Sequence, residues 1–288
     1  MTAANLFASL ACAAALGLAP HAAQARALAD ASAADMAQGG ATGDQGAQGQ
    51  AQSQAQTPRD QVFAIHGQFT SVLQGVGGFA SPYVADNSLD PHEVDVTNDV
   101  TLYLGLRPWK GAEIWVNPEI DQGFGMSNTL GVAGFPSAEA YKVGKLNPYF
   151  KLQRAFLRQT IALGGAAMQV EAAANQLRAT TTANRIVITA GKMGVGDVFD
   201  TNKFAHDPRG DFLNWSLVDT GSFDYAANAW GYSYGVAVEW YQGQWTLRAG
   251  LFNLSKVPNG TDLESDFGQN AIVIEGERRF TIGGRDGA

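Results

Sequence analysis

Apolar and polar residues alternate strictly through LYLGLRPWKGAEIWVNPEID, residues 102–121, on both sides of one tight turn. Leu102, Leu104 and Leu106, then Ala112, Ile114, Val116 and Ile120, fall on one face. Tyr103, Gly105 and Arg107, then Glu113, Trp115, Asn117, Glu119 and Asp121, fall on the other. Successive side chains of a strand point to opposite faces, so this is a hairpin with one aliphatic and one polar wall. The same period opens in FAIHGQFTSVLQG, where Phe63, Ile65, Phe69 and Leu73 oppose His66, Gln68, Thr70 and Gln74. It returns at 98–107 and 112–121, more raggedly at 149–163, then at 185–193, 230–241, 244–252 and about 270–282. The pattern predicts an all-β protein of about eight antiparallel strands, without a convincing helix.

Alternation alone suits a soluble sandwich as well as a membrane barrel; the connections separate them. PWKG at 108–111 suits a hairpin of three to five residues, and Gln242-Gly243 a two-residue one, which would set Trp240 opposite Trp245. The segments at about 76–97, 122–148, 194–229 and 253–269 are long, and only 164–184 breaks the long/short rhythm. Trp240, Tyr241 and Trp245 crowd one tight turn and Trp109 sits in the other. Short turns at one rim, long loops at the other and aromatic girdles are the marks of a transmembrane β-barrel. The aliphatic wall then meets lipid and the polar wall a water-filled lumen, and closure satisfies every backbone group in hydrocarbon.

Charge and composition narrow the partners. The 288 residues carry a net charge of −8, which argues against nucleic acid. Residues 1–25 read as a signal peptide, with an apolar stretch at 6–18 and Ala23-Gln24-Ala25 before the cut, although no basic residue precedes the stretch. The single cysteine, Cys12, has a poor lipidation context and excludes an internal disulfide. Residues 26–62, rich in Ala, Gly, Gln and Ser, read as a disordered tether with nothing to bury. The barrel domain is expected over 63–288, in an outer membrane reached through the periplasm, with the first strand starting there and the long loops outside the cell.

The blocks LYLGLRPWKGAEIWVNPEIDQGFG, GVAGFPSAEAYKVG, LQRAFLRQT, DVFDTNKFAHDPRGDFLNWS and WGYSYGVAVEWYQGQWTLRAGLFNLSKVP resemble the carbohydrate-selective porin family of bacterial outer membranes, over roughly residues 63–280. The resemblance implies passive, selective diffusion of mono- and oligosaccharides through a barrel of about sixteen strands, of which this chain would supply about half. It also implies homotrimers. The ending RRFTIGGRDGA lacks the aromatic close expected of a complete barrel, so a fragment is expected, and a truncated piece that does not conduct is the alternative.

A sugar path needs planar polar groups that exchange hydrogen bonds one by one, and carboxylates and arginines that create a field across the pore. One expected lining track is Glu113, Asn117, Glu119 and Asp121; a second is Arg154 and Arg158; a third is Glu239 with Arg248, diagonal across the Gln242-Gly243 turn. The resemblance further implies that the loop after the fifth strand folds inward, bringing Asp200, Asn202, Lys203, His206, Asp207, Arg209, Asn214 and Trp215 to the constriction. No cofactor or metal is expected, since His206 has no partner histidine nearby. GYSYG at 231–235 matches a nucleophile elbow in letters only, because it sits in an alternating strand and all four histidines precede it. A glycosidase built on Glu119 and Asp121 is a remote rival, since a same-strand pair points in parallel instead of flanking a sugar.

Overall fold

The computed structural model describes residues 59–219, 224–264 and 266–288. The signal peptide expected at 1–25 and the expected tether up to residue 58 lie outside the described residues. Eight strands form one antiparallel sheet in chain order: β1 (Phe63–Gly75), β2 (Val94–Leu106), β3 (Ala112–Gly123), β4 (Lys145–Val170), β5 (Ala179–Met193), β6 (Ser233–Gln242), β7 (Trp245–Asn253) and β8 (Asn270–Arg278). The described helical pieces are short 3₁₀ turns at Met126–Thr129, Gly131–Gly134 and Val195–Asp197. The expected final strand to about residue 282 is shorter. It stops at Arg278, and β9 (Phe280–Ile282) pairs with β10 (Arg285–Gly287) as a separate hairpin.

The sheet is inverted relative to a soluble fold. Leu104, Ile114 and Val236 are 38%, 37% and 39% exposed, whereas Glu119 is 5% exposed. Ile272 and Ile274 of β8 also face outward. On the opposite face a buried cluster joins Tyr103, Trp115, Phe156, Met193, Phe199 and Phe252. An all-β wall with aliphatics outside and polar groups inside is the wall of a barrel that faces lipid. Trp109, Trp240 and Trp245 are exposed beside the tight turns, as an interfacial girdle requires. Ala112 departs from the pattern: although in phase with the aliphatic wall, it is fully buried at the turn.

The long/short rhythm is complete once strand lengths are known. The expected long link at 164–184 is mostly strand, because β4 and β5 keep pairing to Val170 and Ala179 and leave only 171–178 as a turn. Small residues (Ala, Gly, Thr) hide the alternation there. Gly164 and Gly165 take φ of +102° and +91° at a register shift, a conformation open to glycine. The tip of this hairpin reaches the inner face: the Arg158 guanidinium donates to the Asn175 carbonyl (2.8 Å), and the Leu177 amide donates to the Glu113 carboxylate (3.1 Å).

The last tight turn is displaced by one residue from the sequence expectation. Gln242 pairs with Trp245, so the loop is Gly243-Gln244, with Gly243 at φ +56° in the first loop position, where a II′ turn needs it. Trp240 therefore lies opposite Leu247, not opposite Trp245, and Glu239 lies directly opposite Arg248, not diagonal to it.

Candidate functional site

The inner face of β3 carries Glu113, Trp115, Asn117, Glu119 and Asp121 in one row, each at most 6% exposed. A freely wetted row was expected; the row is instead covered by other parts of the chain. Glu113 is the most heavily engaged. It accepts from the Trp115 indole (2.9 Å) and lies 3.6 Å from both Arg107 and Arg158. Glu119 accepts from Tyr141 (2.8 Å), Gln153 (2.7 Å) and the Thr101 hydroxyl. Asp121 lies opposite Asp99 and Tyr149 in register and forms no ion pair among the described residues. The side-chain amide atoms of Asn117 have no hydrogen-bond partner among the described residues.

A bulge sets the arginine track. Register shifts between Asn117 and Pro118, where proline has no amide to give to the ladder. Gln153 and Arg154, consecutive in sequence, both engage inner-face partners as a result: Gln153 reaches Glu119, and Arg154 grips Asp197 with two bonds of 2.7 and 2.6 Å. Acids and bases were expected to face each other across the lumen. They pair along the wall instead: Glu113 with Arg158, and Glu239 with Arg248 at 3.2 Å. Arg248 also contacts Glu275 and Glu277, neither of which belonged to the expected tracks.

The described parts of the loop after β5, residues 194–219 and 224–232, fold onto the inner face. Val195, Val198 and Phe199 are buried, and Phe199 meets Phe252 edge-on at 5.9 Å. The Asp200 amide donates to Glu275 (2.7 Å), which ties the loop to β8. Most of the loop residues singled out from sequence shape the loop itself. Asn202 and Asn214 accept from backbone amides, Lys203 lies over the Phe204 ring, and Asp207 accepts from Arg209. Arg209 also lies 3.7 Å from Glu139, and the Trp215 amide donates to the Phe135 carbonyl, so this loop is fastened to the one at 124–144. Lys142 lies 6.0 Å from the Trp215 ring centre.

Sequence reasoning missed an aromatic group at the same face. Tyr149 and Trp230 meet edge-on at 6.4 Å, Lys151 lies 3.9 Å from the Trp230 ring centre, and Arg154 lies 4.8 Å from that of Tyr232. The in-phase triplet Tyr149, Lys151 and Gln153 carried the signal; Trp230 and Tyr232 were hidden by assigning 230–241 to strand. Ser233, at the centre of GYSYG, begins β6, is fully buried and donates to the Asn253 carbonyl, with no helix after it.

His206 Nδ1 lies 2.8 Å from Asp219. That hydrogen bond, against the opposing effect of burial, holds the imidazole above its usual value of 6.5. A raised folded value means the pair's contribution is complete below pH 6.5 and is lost as pH rises through the raised value. We expect the protection factors of the amides at residues 204–211, exchange rates corrected for their intrinsic rise with pH, to fall across that window and to be flat over it in His206→Asn. An identical profile in the two proteins would refute this.

A profile of the carbohydrate-selective porin, OprB family matches residues 86–287, more than half of the chain. The chain belongs to this family. Membership places this porin-family chain in the bacterial outer membrane. Among solved structures it is similar to the high-pH structure of Pseudomonas putida OprB, with 14% identity and a TM-score of 0.48, over 77% of this chain and 49% of that one. It spans about half the length of that porin. No curated protein matches it.

Proposed function

We propose that this chain forms one wall of a water-filled channel through which sugars diffuse passively across the outer membrane, without catalysis. The observation that supports this reading is the inversion of the sheet, with aliphatics outward toward lipid and a dense row of carboxylates, amides, arginines and aromatics inward. Asn117, Glu119 and Asp121 lie covered behind the path, and Arg154 and Arg158, with side chains 19% and 18% exposed, join the inward loop in offering a solute successive hydrogen-bond exchanges, each weak enough to release it. Trp230 and Tyr232 add ring faces for the C–H faces of a sugar. The leader at 1–25, the tether at 26–62 and trimeric association belong to the same proposal.

The test is planar-bilayer conductance of the refolded chain with glucose or maltose as blockers. Arg154→Ala or Arg158→Ala should weaken sugar block about three- to tenfold, the loss of a charge-assisted hydrogen bond partly replaced by water. Unchanged block in both variants would remove the arginines from the path. The outer edges of β1 and β8, unpaired among the described residues, favour a second reading: a barrel piece that conducts only when further strands complete the wall. Well-refolded protein without unit conductance steps selects that reading.

A further inference from the structure

The acidic residues of β1–β8 all lie on the inner face. Among the described residues of these strands that are in phase with the aliphatic face, the charged ones are Lys192 and Arg278. Both are cations, and they sit at opposite rims. Arg278 pairs with Trp245 beside a tight turn, its guanidinium 5.5 Å from the ring centre. Lys192 is the last residue but one of β5, on the side of the long loops. It pairs with Tyr234, which is in phase with Val236 and Val238. A long cationic side chain can lay its stem along an apolar wall and lift its charge to the interface, where tyrosine also prefers to sit.

The loop after β7 comes to the same place. With Lys192 and Tyr234 it borders a cavity of about 450 Å³, and Lys256, Thr261, Asp262 and Glu264 line the loop side. This part of the loop is a built turn: the Lys256 amide donates to the Asp262 carbonyl (2.9 Å), and the Glu264 amide donates to the Leu254 carbonyl (2.9 Å). Lys192, Lys256, Asp262 and Glu264 form no ion pair among the described residues, although both signs line one cavity. The Lys192 ammonium donates to the Leu152 carbonyl at 2.7 Å, which leaves the rest of its three donors for a ligand. Two ammonium groups suit a phosphate. The two carboxylates oppose a bare anion and accept from hydroxyls, so the phosphate must be set among hydroxyl donors. Tyr234, Val236 and Val257 are exposed around the cavity, so its occupant also needs an apolar part. The long loops of an outer-membrane barrel mark the outer leaflet.

We propose that this cavity binds the headgroup of an outer-leaflet lipid, the phosphorylated and acylated glucosamine disaccharide that anchors lipopolysaccharide. Lys192 and Lys256 hold a phosphate, Thr261, Asp262 and Glu264 take neighbouring hydroxyls, and the acyl chains run down the wall past Tyr234 and Val236. The site belongs to the outward face, so it stands whatever solute crosses the lumen.

The experiment is native mass spectrometry of the refolded chain in neutral-detergent micelles, titrated with diphosphoryl lipid A. Phosphatidylglycerol and inorganic phosphate are the other probes. The expected result is a saturable one-to-one adduct with lipid A. Lys192→Met and Lys256→Met, which keep the stem and drop the charge, should each raise the half-saturating concentration about tenfold, the loss of one charge-assisted hydrogen bond. Arg278→Met, at the opposite rim, should leave it unchanged, phosphatidylglycerol should bind more weakly than lipid A, and inorganic phosphate should not displace the lipid. Lys256 is exposed in a loop, so failure of the Lys192 variant to refold leaves the other to decide. Several results would overturn the site: no saturable adduct with wild type, equal binding in the lysine variants and wild type, or the same loss in Arg278→Met. Phosphatidylglycerol bound as tightly as lipid A would refute the proposed source of the phosphate, and displacement by inorganic phosphate would show a site for a free anion instead.

Discussion

Arg248→Ala is expected to destabilise the β6–β7–β8 wall by about 3–5 kcal/mol, the cost of breaking a buried ionic cluster by removing one side. The side chain of Arg248 is 6% exposed and lies among Glu239 at 3.2 Å, Glu277 at 3.3 Å and Glu275. Alanine leaves three carboxylates on the two strands that flank β7, Glu239 on β6 and Glu275 and Glu277 on β8, with no counter-charge between them. It also removes one of the groups that orient Glu275, which accepts the Asp200 amide as well. Urea unfolding of the micelle-refolded chain should show the loss as a lower midpoint, with the heat-modifiable band on gels lost at lower temperature. Arg248→Lys should fall between the two, since one ammonium cannot replace a fork that spans Glu239 and Glu277 together. Adding Glu275→Gln to Arg248→Ala should restore part of the stability, because the repulsion is what the alanine exposes. Equal stability of wild type and Arg248→Ala would show that these carboxylates are screened by solvent.

Trp115→Ala is expected to cost a similar amount, about 3–5 kcal/mol, the range for removing a large buried aromatic. Trp115 is fully buried and lies opposite Gly105, where an added Cβ would come within 2.5 Å of the indole ring. The indole occupies the space that the glycine leaves, and its N–H donates to Glu113 at 2.9 Å. Truncation therefore opens a cavity in the inner cluster and removes one of the bonds that orient Glu113. Gly105→Ala should be destabilising in the wild type and close to harmless in the Trp115→Ala background, a coupling that a double-mutant cycle reads directly. Additive losses would mean that glycine and indole do not share the space described.

Leu102, Leu104, Leu106 and Ile114 show why the wall was legible from the chain. A period of two survives in any register, so the strands, the aliphatic face and the tight turn at 107–111 follow from local alternation. The pairs were less legible. Glu239 and Arg248 were placed on one face but diagonal, because a turn read one residue early moves every partner across the hairpin by two positions. Gln153 escaped notice because strict alternation sends it away from Arg154, and only the bulge at Pro118 brings both to the inner face. The 164–184 stretch reads as loop in the sequence because Ala, Gly and Thr carry no hydrophobic contrast.

What the sequence determined by itself is the all-β wall, its two chemically distinct faces and the rhythm of short turns and long loops. All three depend on near neighbours along the chain. The tertiary structure decided which inner groups meet: Arg154 with Asp197, Glu113 with the tip of a hairpin 64 residues away, and Arg248 with three glutamates. It also decided that the inner row is covered instead of freely wetted. These pairings join segments far apart in sequence, where register, bulges and loop return paths set side-chain position to within a few ångströms, and alternation says nothing at that scale.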